Sequence, residues 1–171
     1  RVLNIGVSAT PTIQLAVEEY RASGGIAITA SHNPQEWNAV KFMDRHGIFL
    51  DAGDGMRLLE IAESKQGGFA DYRNVGTVEN AGSFDRAHIE KIISSASIHA
   101  DRVRKKKFRV AVDCVNGAGS AILPSLLEEL GCNVIRINCD GNGRFSRGAE
   151  PLPENLHGLC EAVRQNGAAA G

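Results

Sequence analysis

The chain has 171 residues, 43% hydrophobic and 23% charged, enough for a real core in one ordinary domain or two small ones. A formal net charge of −1 supplies no global field for nucleic acid or an anionic membrane, no apolar run approaches the roughly 20 residues needed to span a bilayer, and no basic segment followed by an apolar one marks a secretory signal. The four cysteines, Cys114, Cys132, Cys139 and Cys160, form neither a C-x-x-C pair nor a zinc-ligand spacing, and read as small buried hydrophobes in a reducing cytosol.

Thr10-Pro11 reads as a helix start, with Thr10 capping the free amides and Pro11 at the first helical position. Ile13, Ala16, Val17 and Tyr20 follow helical spacing, and Gly24-Gly25 closes the segment. Ile26-Ala27-Ile28-Thr29 is a strand-type run that empties into the polar turn Ala30-Ser31-His32-Asn33-Pro34. Val40 to Met43 is the next strand, and a turn around His46-Gly47 leads to Ile48-Phe49-Leu50. Asp54 or a neighbour caps a helix carrying Met56, Leu59 and Ala62. Residues 67–83 read as a long loop, after which Ser83 caps a helix with Ile89, Ile92, Ile93 and Ala96 on one face.

Six of the eight positions from 102 to 109 are Lys or Arg, a solvated helix end and linker where a new pattern begins. The expected domains are therefore 1–100 and 101–171. Val110 to Val112 is a strand, Asn116 to Gly119 a tight turn, Ala121 to Leu130 a helix stopped by Gly131, and Val134 to Ile137 a strand. Residues 138–153 form a long Gly- and Pro-rich loop, Glu154 to Gln165 a helix, and Ala168 to Ala170 the start of another strand. Strand, helix, strand implies α/β architecture with a right-handed parallel crossover. The chain starts at Arg1 without Met and stops where a strand pattern has only begun, so a fragment is expected, lacking the ligand-bearing end of its last strand.

The segment Gly25 to Pro34 carries the chemistry. A buried strand delivers Ser31 to an exposed loop at its carboxyl end, as a nucleophile on a rigid platform requires. His32 and Asn33 add polar groups, and Pro34 stiffens the exit. Lys41, ten residues on, sits where a returning strand brings its ammonium near the serine, to offset the charge of a phosphoserine. From composition alone the same residues also suit an ordinary strand-to-turn segment.

The string Ile28-Thr29-Ala30-Ser31-His32-Asn33-Pro34 resembles the active-site signature of the α-D-phosphohexomutases, the family of phosphoglucomutase, phosphomannomutase and phosphoglucosamine mutase. Ala9-Thr10-Pro11-Thr12, Val112 to Gly119 and Glu150 to Leu156 resemble further family segments in the same order. The resemblance implies two incomplete α/β/α layered domains with mixed, mainly parallel sheets. It implies an intramolecular phosphotransferase that interconverts hexose 1-phosphate and hexose 6-phosphate through a phosphoserine and a hexose 1,6-bisphosphate. Ser31 matches the phosphorylated serine, whose phosphate would also contact Mg²⁺. His32 and Asn33 match the flanking motif positions. Lys41 matches the lysine of an N-G-x-K element, although Ala39 replaces its glycine. The family's Asp-rich metal loop and its third and fourth domains are not matched, so the fragment is expected to be inactive alone. The expected partners are a phosphorylated hexose and the remaining domains of the same enzyme, with no nucleic acid or membrane, in the cytoplasm.

A noncatalytic α/β module binding a phosphorylated ligand or partner is the alternative. A dinucleotide fold is disfavoured, because Ile122 stands where G-x-G-x-x-G needs its third glycine. Arg144 and Arg147 read as exposed, His46, His88, His99 and His157 as surface or loop residues, Asp113 and Asp140 as turn caps, and Trp37 as core packing or a loop anchor.

Overall fold

The computed structural model describes residues 1–34, 36–64 and 67–171. Among them are six strands and six α-helices. These are β1 (Val2–Asn4), α1 (Thr10–Glu19), β2 (Gly25–Thr29), β3 (Ala39–Met43), α2 (Ala52–Ser64), β4 (Val78–Asn80), α3 (Asp85–Ile93), α4 (Ala100–Lys106), β5 (Arg109–Asp113), α5 (Gly119–Glu129), β6 (Asn133–Ile137) and α6 (His157–Gln165), with a 3-10 turn at Pro153–Asn155. The strands pair in twos: β1 with β4 and β5 with β6 in parallel, β2 with β3 antiparallel. The architecture is thus α/β with mainly parallel pairing. No described helix is long and apolar enough to cross a membrane.

The apolar spacing of α1 buries Ala16 and Val17, together with Thr12, and the helix packs on β2. Alternation along the hairpin turns Ala27 and Met43 to one face, where both are buried. Two glycines allow the close approach. A Cβ at Gly25 would lie 2.5 Å from Cγ2 of Val17. A Cβ at Gly47, where φ is +69°, would run into the Gln14 carbonyl, and the Gln14 amide donates to the Gly47 carbonyl at 2.7 Å. The turn before Gly47 is closed by Asp44, whose Oδ1 accepts from the N–H groups of His46 and Ile48 at 2.8 and 3.0 Å.

Thr10 is not the cap of α1. It is already helical, and Ala9, extended at φ −64° and ψ 146°, holds the cap position without a side-chain bond. Pro11 then sits within the first turn, where its missing N–H has no intrahelical partner to lose. Asp51 supplies the bond at the start of α2, its Oδ1 accepting from the Asp54 N–H at 2.9 Å. The expected 67–83 loop contains β4, and α4 occupies most of the basic run. Leu156 separates the 3-10 turn from α6, so the expected helix from Glu154 starts later, at His157.

His88 is not an isolated surface residue. On α3 it is half-buried, with Nδ1 2.9 Å from Oγ1 of Thr12, which has no exposed area. This ties α1 to α3, beside Tyr20 against Phe84 at 5.5 Å between ring centroids. Helix α3 also meets α5, where Arg86 pairs with Glu129.

In the second half, β5 lies between β6 and the segment at Ala169-Ala170, which hydrogen-bonds to Arg109 and Ala111. The loop after β6 is fastened to the carboxyl ends of both strands by side chains. Asp113 is 4% exposed; its Oδ1 accepts from the Val115 N–H at 2.9 Å and Asn138 Nδ2 at 3.0 Å, and its Oδ2 from Arg147 Nε at 2.7 Å. Asn116 accepts from the Asp140 N–H at 3.0 Å and donates to the Arg144 carbonyl at 3.0 Å. Arg147, expected on the surface, is 19% exposed and anchors the loop. Burial alone would raise the Asp113 pKa. The Arg147 guanidinium, the Val115 N–H and Asn138 outweigh it and hold the carboxyl below the usual aspartate value.

Two expectations follow. Burial, reinforced by Lys91 and opposed by Asp85, lowers the His88 pKa from its ordinary value. The unfolded chain therefore binds this proton first as pH falls, and the stability from neutral His88 is lost below about pH 6.5. Urea unfolding at pH 7 and about pH 5 should show a larger drop for wild type than for His88→Gln; equal drops would refute this. Arg147→Met strands a buried carboxylate and should cost about 2–3 kcal/mol. Adding Asp113→Asn should recover part of that loss, as read from denaturant midpoints.

Candidate active site

The β2–β3 ladder ends at the pair Thr29 and Ala39, and the chain between them forms the tip of the hairpin. The Asn33 N–H donates to the Ala30 carbonyl at 3.0 Å, closing a four-residue turn with Ser31 and His32 at its centre. Ser31 adopts φ +56°, the left-handed region that few non-glycine residues enter. Its N–H is held there by Oγ1 of Thr29 at 2.9 Å. The last strand residue therefore fixes the backbone of Ser31 and leaves the hydroxyl facing out.

Ser31, His32, Asn33 and Pro34 are all exposed. Among the described residues the side-chain partner of the Ser31 hydroxyl is Nδ1 of His32 at 3.4 Å, a long contact. A rigid, outward hydroxyl beside an imidazole can accept or give up a transferable group. Spacing does not single out Thr29, although a hydroxyl side chain can accept from the backbone N–H two residues on.

Lys41 lies on β3 opposite Ala27, two ladder positions short of the last pair, Thr29 and Ala39. Its ammonium stands over the Phe49 ring, 5.6 Å from the centroid. The structure thus brings Thr29, Ser31 and His32 together and places Lys41 on a separate contact. Lys41 also borders an apolar groove of about 460 Å³, shared with Phe42, Phe49, Leu50, Gly55, Leu58 and Leu59. Trp37 does not pack into a core: it is 63% exposed, with its N–H donating to the Pro34 carbonyl at 3.0 Å. Among the described residues no group of three or more His, Cys, Asp or Glu is arranged to hold a metal ion.

Comparison with known proteins places this geometry in a family. Residues 1–67 match the family model described as phosphoglucomutase/phosphomannomutase, alpha/beta/alpha domain I, and residues 86–171 match that of domain II. The second match begins inside α3. The chain is similar to a phosphoglucomutase/phosphomannomutase of Thermococcus kodakarensis, 37% identical over 98% of this chain and 36% of that protein. It is also similar to a probable phosphoglucosamine mutase of Methanopyrus kandleri, 35% identical over 99% of this chain and 36% of that protein. It therefore spans little more than a third of the length of these relatives. In fold it resembles the crystal structure of a putative phosphomannomutase from Thermus thermophilus, with TM-score 0.73 and 24% identity over 94% of this chain and 36% of that one. With both family domains matched in order, the chain belongs to the phosphoglucomutase/phosphomannomutase family.

Proposed function

We propose that this chain is the phosphoryl-carrying part of a phosphohexomutase, with Ser31 as the residue that holds the phosphoryl group between transfers. The observation that carries the reading is the presentation of Ser31. It stands at an exposed hairpin tip, with its backbone clamped by Thr29 and its side chain exposed, inside the string that resembles the family signature.

In this reading, phosphorylated Ser31 gives its phosphoryl group to a hexose monophosphate, forming a hexose 1,6-bisphosphate. The bisphosphate turns in the site, and its other phosphate returns to Ser31. The phosphorus–oxygen bond broken on the donor is matched by the one formed on the acceptor hydroxyl, whose proton leaves. His32 and Asn33 flank the phosphate. Lys41 helps handle the phosphate and the proton at the reacting hydroxyl. Mg²⁺ would offset charge in a loose transition state. A phosphate oxygen on Ser31 would be one of its ligands; no group of three or more His, Cys, Asp or Glu among the described residues is arranged to supply the rest, and in this reading they come from the part of the relatives' length that this chain does not span. The same holds for the groups that read the sugar. The 171 residues alone are then inactive in a full mutase cycle, which takes place in the cytoplasm.

The test is phosphopeptide mapping of the full-length protein after incubation with Mg²⁺ and a hexose bisphosphate. Phosphate should appear on Ser31 and disappear on adding hexose monophosphate. Ser31→Ala should lower turnover by at least about 10³-fold, the scale set by loss of a covalent nucleophile. An unmodified Ser31 in folded, Mg²⁺-loaded protein would instead support a noncatalytic module that binds a phosphorylated ligand.

A further inference from the structure

Strand pairing sets Trp37 across the hairpin tip from Ser31. The β2–β3 ladder runs from Gly25 opposite Met43 to Thr29 opposite Ala39, so each step forward on β2 is a step back on β3. Counted on by two residues from the last pair, one arm of the tip reaches Ser31 and the other reaches Trp37. A backbone bond holds each arm. The Asn33 N–H donates to the Ala30 carbonyl and the Trp37 N–H to the Pro34 carbonyl, both at 3.0 Å.

Trp37 is the single tryptophan of the chain, and the folded core does not use it. An indole covers about 150–250 Å² when it is buried, yet this one stands 63% exposed among the polar residues of the tip. The aromatic contacts among the described residues join Tyr20 to Phe84, Lys41 to Phe49 and Arg73 to Tyr72, and the Trp37 ring enters none of them. The ring is therefore a large apolar surface on the same short tip as the Ser31 hydroxyl, with its backbone fixed and its faces open.

We propose that the Trp37 indole is the platform on which the sugar ring of the hexose phosphate rests during transfer to and from Ser31. The inference rests on the phosphoryl-transfer reading of Ser31 and adds a substrate contact to it. In that reading the bisphosphate is held in two orientations, one for each of its phosphates. Hydrogen bonds to ring hydroxyls are directional and favour one orientation over the other. An indole face is apolar and electron-rich, and the C–H groups on one side of a pyranose ring lie against it without fixing the rotation of the ring. One such surface beside the nucleophile serves both half-reactions. Asn33, Pro34 and the ladder end at Thr29 and Ala39 hold the tip in place while the sugar turns.

The experiment uses the full-length protein with Mg²⁺ and, in turn, the 1- and 6-phosphates of glucose, mannose and glucosamine. For the sugar turned over fastest, Trp37→Ala should raise KM for the 1-phosphate and the 6-phosphate alike, by about tenfold. Trp37→Phe should restore most of the loss, and Ser31 should still take up phosphate from saturating hexose bisphosphate in both variants, as read by intact mass. The emission difference between wild type and Trp37→Phe isolates this indole; the sugar phosphate should shift it, and inorganic phosphate alone should not. An unchanged KM in Trp37→Ala, an emission difference that the sugar phosphate does not move, or a loss that comes with a lowered melting temperature and no rescue by Phe would each overturn the proposal. If Ser31 is phosphorylated in wild type while KM is indifferent to Trp37, this inference alone falls. If wild-type Ser31 takes up no phosphate, the phosphoryl-transfer reading falls and this inference with it.

Discussion

The close seating of α1 on the β2–β3 hairpin is the constraint on which the presentation of Ser31 depends. It exists because two positions carry no side chain. Gly25 leaves room for Val17, and Gly47 lies against the Gln14 backbone in a conformation that disfavours any Cβ. Between these points Ala27 and Met43 fill the space under the helix. A hairpin of two five-residue strands is marginal by itself; seated on a helix it becomes a platform. Its free end then offers one outward hydroxyl, with the left-handed turn at Ser31 secured by Thr29.

The second half uses a different device for a similar end. Its β5–β6 pair is covered by α5 and α6, but the loop beyond β6 contains little to bury. Polar side chains hold it instead. Asp113, Asn116, Asn138 and Arg147 form one network that spends nearly every acceptor of the Asp113 carboxylate on the loop and its own turn. The network tolerates left-handed backbone at Val115, Asn116 and Asn138. Helix α3 links the two regions, reaching Thr12 through His88 and Glu129 through Arg86.

The sequence was informative where burial is periodic. Ile13, Ala16 and Val17 announced α1, the run from Ile26 announced β2, and Val134 to Ile137 announced β6. It was silent where structure rests on pairing between distant, exposed residues. β1 and β4 are three residues each and meet across more than seventy positions, with no buried stripe to reveal them. The basic residues of α4 look the same in a linker and in a solvated helix. Ser31 was legible because its local string is specific. Thr29 as its clamp, Arg147 as the partner of Asp113 and Thr12 as the partner of His88 depend on side-chain geometry that spacing does not encode. Lys41 was legible as a strand residue but not as a neighbour of Phe49, because that contact depends on how residues 48–50 return to β3.

The most direct measurement is residue-resolved amide hydrogen exchange on the wild-type chain and on Gly47→Ala. If the seating of α1 holds the hairpin and its tip as one unit, the added methyl should speed exchange of the β2 and β3 amides and of the Ser31 amide together, by at least about tenfold. Faster exchange in the strands with the Ser31 amide unchanged, or no change in either, would contradict the account.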